Sequence, residues 1–159
     1  MTVKDIICYK TNYGDIYRLD DVLTGQILEK ENKTFEGIIT DYDQNSTYFV
    51  FGKINDKGIE LIKTTTAEKE FPRMYKVEKD GLNYYGDLFA KTVFVELPIG
   101  ECKIVISDSE VYREVTKKEI KHLEKLISFY KENMNKESQK LYKNSQQELS
   151  KVYKKSLQK

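Results

Sequence analysis

Along most of this chain, apolar residues alternate with polar ones in short runs, and each run stops at a cluster of turn-forming residues. Phe35 to Thr40 and Thr47 to Phe51 are rich in β-branched and aromatic side chains. The stretch from Asp41 to Ser46 between them is built from turn formers, so the pair predicts a hairpin. Asn55-Asp56-Lys57-Gly58 supplies a second turn into a strand at Ile59 to Lys63, which ends at the polar triplet Thr64-Thr65-Thr66. Earlier, Gly14-Asp15 introduces Ile16 to Leu19 as a short strand, and Asp20 to Asn32, without a clean period, reads as a mobile loop. Pro72 breaks any helix attempted by Ala67 to Phe71, Met74 to Val77 reads as a strand, and Asp80-Gly81 turns the chain. Thr92 to Leu97 is the strongest strand signal, closed by Pro98 and Gly100, with Lys103 to Ile106 returning.

The period changes at Thr116. Thr116-Lys117-Lys118-Glu119 has the form of a capping box, in which a hydroxyl and a carboxylate satisfy the free amides of a helix start. Ile120, Leu123, Ile127 and Tyr130 then recur on one face, predicting a helix that packs its apolar stripe on the strands. Leu141, Leu149 and Val152 form a sparser stripe, which predicts a weakly anchored helical end. Strands come first and helix after, without the alternation of a parallel sheet. That order predicts an α+β fold: a small antiparallel β-barrel of roughly five to seven strands with C-terminal helices. At 159 residues the chain supports one core. The expected units are a barrel with its packed helix over 1–130 and a basic helical C-terminal extension of the same domain over 131–159.

Hydrophobic residues at 39% and charged residues at 33% suit a globular chain, and no apolar run reaches bilayer length. With no secretory signal at the N-terminus, the expected location is cytoplasmic and no membrane partner is expected. Cys8 and Cys102 are too few for a disulfide framework or a zinc site and read as small buried hydrophobes. Asp20-Asp21 has no partner cluster, so no metal site is expected. Net charge is +1, yet from Lys131 to Lys159 eight Lys face three Glu, so a basic tail follows a mildly acidic body. Twelve Tyr and seven Phe are compatible with stacking on bases.

Tyr9, Gly14-Asp15 and Ile16-Tyr17, then a polar loop and a basic residue before Phe35 to Thr40, resemble the opening of the MazF/PemK toxin ribonucleases. Ile59 to Lys63 running into Thr64-Thr65-Thr66-Ala67 and on to Phe71-Pro72 resembles the family's strand that ends in a catalytic Thr or Ser. Lys91 to Val95 followed by Val115 to Ile120 resembles its closing strand and final helix. The matches span residues 9–130. Where MazF/PemK proteins carry Arg-Pro this chain has Lys33-Thr34, and Lys33 to Ile38 more closely resembles the related ToxN-like toxins. Those carry a lysine there, have a long helical C-terminus and are held by an RNA antitoxin.

The resemblance implies an SH3-like barrel and an endoribonuclease toxin. Its 2′-hydroxyl chemistry would give a 2′,3′-cyclic phosphate without metal or cofactor. An antitoxin would silence it, an RNA in preference to the alternative of a small protein, and an oligomer or a toxin–RNA assembly is compatible. Lys33 is then the cation beside the scissile phosphate, and the hydroxyl of Thr65 or Thr66 orients the reacting oxygens. Lys63, Lys69 and Arg73 surround the threonines as a cationic rim, Lys53 and Lys57 flank a turn within reach of phosphates, and Tyr17, Tyr48 and Tyr75 are candidates for stacking on bases. Judged by residue type alone, the threonines are an ordinary strand surface, the turn lysines are solvated and His122 is a surface residue. The same barrel also suits a non-catalytic RNA- or peptide-binding module, or a phage-borne inhibitor.

Overall fold

The computed structural model describes residues 2–12, 22–108 and 117–157. Eight strands, β1 (Thr2–Asn12), β2 (Val22–Glu29), β3 (Thr34–Asp41), β4 (Ser46–Ile54), β5 (Gly58–Lys63), β6 (Arg73–Asp80), β7 (Asn83–Lys91) and β8 (Glu96–Asp108), precede α1 (Lys117–Lys131) and α2 (Lys136–Leu157). Each strand pairs antiparallel with its sequence neighbour, and β1 pairs with β8 to close the ring. The expected small antiparallel barrel with C-terminal helices is therefore present, with more strands than the sequence pattern suggested.

Several elements differ from expectation for identifiable reasons. Most of Asp20 to Asn32 is strand β2, not loop. Its alternation is hidden because Gly25 interrupts it, and because Ile27 and Leu28 are buried on opposite faces. Thr92 to Val95 is the β7–β8 turn. The Thr92 hydroxyl accepts from the amides of Phe94 at 3.2 Å and Val95 at 3.1 Å, and the Thr92 amide donates to the Val95 carbonyl at 2.9 Å, so local hydrogen bonds outcompete β-propensity. β1 and β7 had no counterpart in the sequence pattern. The strand expected at Ile16 to Leu19 and the Thr116 cap lie outside the described residues.

The barrel interior is a packed core that includes Ile6, Leu23, Phe35, Ile39, Val50, Leu61 and Tyr75, with the free cysteines Cys8 and Cys102 buried as expected. Strands bend tightly enough that a Cβ on Gly52 would meet the Glu60 carbonyl and come within 2.9 Å of the Phe35 ring. A second core lies outside the barrel wall. Val3, Leu28, Phe49 and Phe51 face out from β1, β2 and β4 against Leu123, Ile127, Met134 and Leu141 of the helical segment. β4 is thus buried on both faces, which is why Tyr48 to Phe51 is a continuous apolar run rather than an alternating one.

The helical end is held more firmly than its sparse stripe implied. Tyr142 sets its ring edge-on to Phe49 and Phe51, with centroids 5.4 and 5.1 Å away, and its hydroxyl lies 3.2 Å from both oxygens of Glu36. Lys131 reaches the same carboxylate at 2.9 Å. Past that clamp the hold weakens, and Val152 is exposed. No helix among the described residues is long and apolar enough to cross a membrane.

Candidate functional site

In an up-and-down barrel, successive turns alternate between the two mouths. One mouth carries the β2–β3, β4–β5 and β6–β7 turns; the other carries the connections β3–β4, β5–β6 and β7–β8. This alternation separates the expected catalytic residues. Lys33 lies in the β2–β3 turn with φ 68°, its carbonyl accepting from the Ile54 amide at 2.9 Å, level with Ile59 at the start of β5. Thr65 and Thr66 follow the other end of β5, six residues further along, roughly 20 Å at strand spacing. The Lys33–threonine pair does not converge on one phosphate.

Thr65 is also committed elsewhere. It is 0% exposed, its hydroxyl donates to the Glu70 carbonyl at 2.9 Å and accepts from Asn135 Nδ2 at 2.8 Å, and its amide donates to Ser138 Oγ at 2.9 Å. Asn135 caps α2, accepting from the Ser138 amide at 2.9 Å, while its Nδ2 also meets the carbonyls of Ala67 and Glu70. The threonine cluster is thus the seat on which α2 docks, with only Thr66 exposed. Lys53 and Lys57 share the mouth of Lys33, and Lys53 faces Glu60 at 3.7 Å. Lys69 is exposed on the β5–β6 connection, His122 is exposed on α1 as expected, and Tyr17 lies outside the described residues.

Lys63 and Arg73, by contrast, are brought together. They are register partners on β5 and β6, and both continue the inner-face alternation, Ile59-Leu61-Lys63 on one strand and Val77-Tyr75-Arg73 on the other. Lys10 continues Ile6-Cys8 in the same way on β1. Three inner-face series that are apolar in the middle of the barrel therefore end in a cation at one mouth, and Lys10, Arg73, Glu70 and Asp41 all act electrostatically on Lys63.

The ammonium of Lys63 sits 4.1 Å above the Tyr48 ring, and the residue is only 5% exposed. No carboxylate among the described residues pairs with it. The nearby Asp41 instead accepts from the amides of Asp43 at 3.1 Å and Gln44 at 3.4 Å. Burial, reinforced by Lys10, pushes the Lys63 pKa down to about 8. One layer deeper, the Tyr75 hydroxyl is fully buried without a hydrogen-bond partner, and burial together with the neighbouring Cys8 holds its pKa well above the ordinary phenol value. An unpaired ammonium and an unpaired hydroxyl inside one mouth form a donor set for an anion.

The rim of this mouth is aromatic. Tyr42 at 71%, Phe71 at 52% and Phe94 at 94% exposure lie on the β3–β4, β5–β6 and β7–β8 connections, one on each. Sequence reasoning named Lys63 and Arg73 but missed Lys10, Tyr42 and Phe94. The legible signal was a lysine in phase with an apolar period-two series, which marks a cation on the inner face of a barrel.

The chain matches no family model, no curated protein and no solved structure.

Proposed function

We propose that this protein binds single-stranded RNA at the β5–β6 mouth of its barrel, through a phosphate met by Lys63, Arg73 and Lys10 and through bases stacked on the exposed rim. The observation that carries the reading is the Lys63 ammonium, without a carboxylate partner among the described residues, in a mouth that carries Tyr42, Phe71 and Phe94 on its connections. Cations track a phosphate and aromatic faces accept any base, the combination on which sequence-tolerant single-strand binding rests. Fluorescence anisotropy with a labelled RNA oligonucleotide tests it. The double substitution Lys63→Met with Arg73→Met should weaken binding by about a hundredfold or more and flatten the salt dependence. Lys33→Ala, Lys53→Ala and Lys57→Ala combined, at the opposite mouth, should change it by less than about threefold. Equal losses from the two sets would sink the assignment.

One observation favours a catalytic version of the same site. An ammonium whose pKa has fallen to about 8 exchanges its proton closer to neutral pH than an ordinary lysine. On this second reading the protein is an endoribonuclease toxin, with Lys63 and Arg73 taking the charge-stabilising role expected of Lys33 and Tyr75 the donor role expected of Thr65. The ToxN-like kinship, the SH3-like ancestry of the barrel and an antitoxin RNA partner belong to that reading. RNA incubated with the protein in EDTA separates the two: cleavage to a cyclic phosphate that Lys63→Met abolishes supports the enzyme, and bound but intact RNA supports the binding module.

A further inference from the structure

We infer that the β5–β6 mouth selects an RNA end bearing a terminal phosphate monoester over an internal phosphodiester, an inference that rests on the RNA-binding reading above. Depth is the first argument. Lys63 is nearly enclosed and Tyr75 wholly so, whereas Arg73 and Lys10 are half-buried nearer the rim. A group that meets all of them must enter the barrel end-on. An internal phosphodiester continues into the chain on two sides, and both arms would have to turn back out between the rim loops. A terminal phosphate continues on one side only.

Donor count is the second argument. A monoester presents three free oxygens and an internal diester two. The mouth offers the Lys63 ammonium and the Tyr75 hydroxyl below, with the Arg73 guanidinium above, one of whose N–H groups is already given to the Phe71 carbonyl. The hydroxyl has no acceptor, although buried O–H groups are otherwise paired. The register places it beside Lys63, since Tyr75 is the inner-face neighbour of Arg73 on β6 and stands opposite Leu61, the inner-face neighbour of Lys63 on β5, and Arg73 and Asp41 as well as Cys8 and Cys102 act on it electrostatically. Asp41 does not fill the donors' need, its carboxylate being turned to the amides of its own turn. Tyr42, Phe71 and Phe94 then stand where the nucleotides following the terminal phosphate leave the barrel.

One labelled RNA oligonucleotide prepared with a 5′-phosphate, with a 3′-phosphate and with neither, measured by anisotropy, tests the inference. The wild-type protein should bind one phosphorylated form about tenfold or more tightly than the unphosphorylated RNA. Tyr75→Phe and Lys63→Met should each reduce that preference to about twofold or less, with thermal melts confirming that both variants remain folded. Equal affinity of the wild type for all three RNAs would overturn end selection while leaving RNA binding in place. Failure to bind any of them would overturn the RNA reading itself. A nucleoside monophosphate that competes as strongly as the phosphorylated RNA would assign the mouth to free nucleotides and overturn the choice of RNA ends.

Discussion

Each mouth of the barrel carries an inward-facing lysine, and the two are treated in opposite ways. Lys4 on β1 shares the inner face with its register partner Ile27, and its ammonium meets Glu29 at 2.7 Å. Lys63 on β5 is more enclosed, and its ammonium lies over the Tyr48 ring with no carboxylate paired to it among the described residues. A mouth that needs only to be closed neutralises its cation, whereas an enclosed cation without a carboxylate lowers the stability of the fold. On the reading proposed above, the difference is what singles out the β5–β6 mouth for an outside anion.

The comparison is tested most severely at Lys63 itself. Lowering its pKa from 10.5 to about 8 corresponds to a destabilisation of about 3 kcal/mol while the side chain is charged. Lys63→Met should therefore raise the unfolding free energy at pH 7 by up to about 3 kcal/mol. The sign also fixes a pH signature. Between pH 8 and 10.5 the unfolded chain holds a proton that the folded one has released, so the contribution of Lys63 to stability rises with pH across that window. The gap between wild type and Lys63→Met, followed by denaturant unfolding, should close over the same range. The groups that shape it are Lys10 and Cys8 on β1, Asp41 on β3, Tyr48 on β4, Glu70 on the β5–β6 connection, and Arg73 and Tyr75 on β6. A destabilised Lys63→Met would mean that the lysine is a structural strut.

A smaller effect separates the two roles found at this one mouth. Asn135→Ala removes the cap of α2, takes the side-chain donor from the Ala67 carbonyl and leaves the Glu70 carbonyl with the Thr65 hydroxyl alone of its two side-chain donors, so it should cost about 2 kcal/mol in thermal or denaturant melts. RNA affinity should hold, because Asn135 bonds Thr65, Ala67 and Glu70 and not Lys63, Arg73 or the rim aromatics. At the opposite mouth, Glu29→Ala strands the partly enclosed Lys4 and should lower stability by about 1 kcal/mol, opposite in sign to Lys63→Met. The smallest effect falls on Lys33. Its left-handed backbone suits glycine, so Lys33→Gly should be neutral or stabilise by about 0.5 kcal/mol. A loss of several kcal/mol there would reveal a side-chain contact of Lys33 that holds the turn.

The hairpin of β3 and β4 and the strand β5 were legible because their signals are local: β-rich runs bounded by turn residues. β2 was hidden by burial on both faces, and the β7–β8 turn by a threonine whose hydroxyl satisfies the turn's own amides. The failed pairing of Lys33 with Thr65 was partly legible as well. Three strands separate them, and in an antiparallel meander an odd number of strands carries the chain from one mouth to the other. The short motifs that resemble toxin ribonucleases gave the order of elements but carried no such count.

Sequence by itself determined the alternation along β5 and β6, where a period of two puts Lys63 in phase with Ile59 and Leu61 and Arg73 in phase with Tyr75 and Val77, whereas Lys10 lies on a strand that the pattern did not show. Closure of β1 onto β8 and the helices laid over β3 and β4 decided the rest. Only these long-range pairings set which residues stand level across the ring, which hydroxyl is spent on docking a helix and which cation is left without a partner. Register and closure depend on strands that meet from far apart in the chain, and no local pattern encodes them.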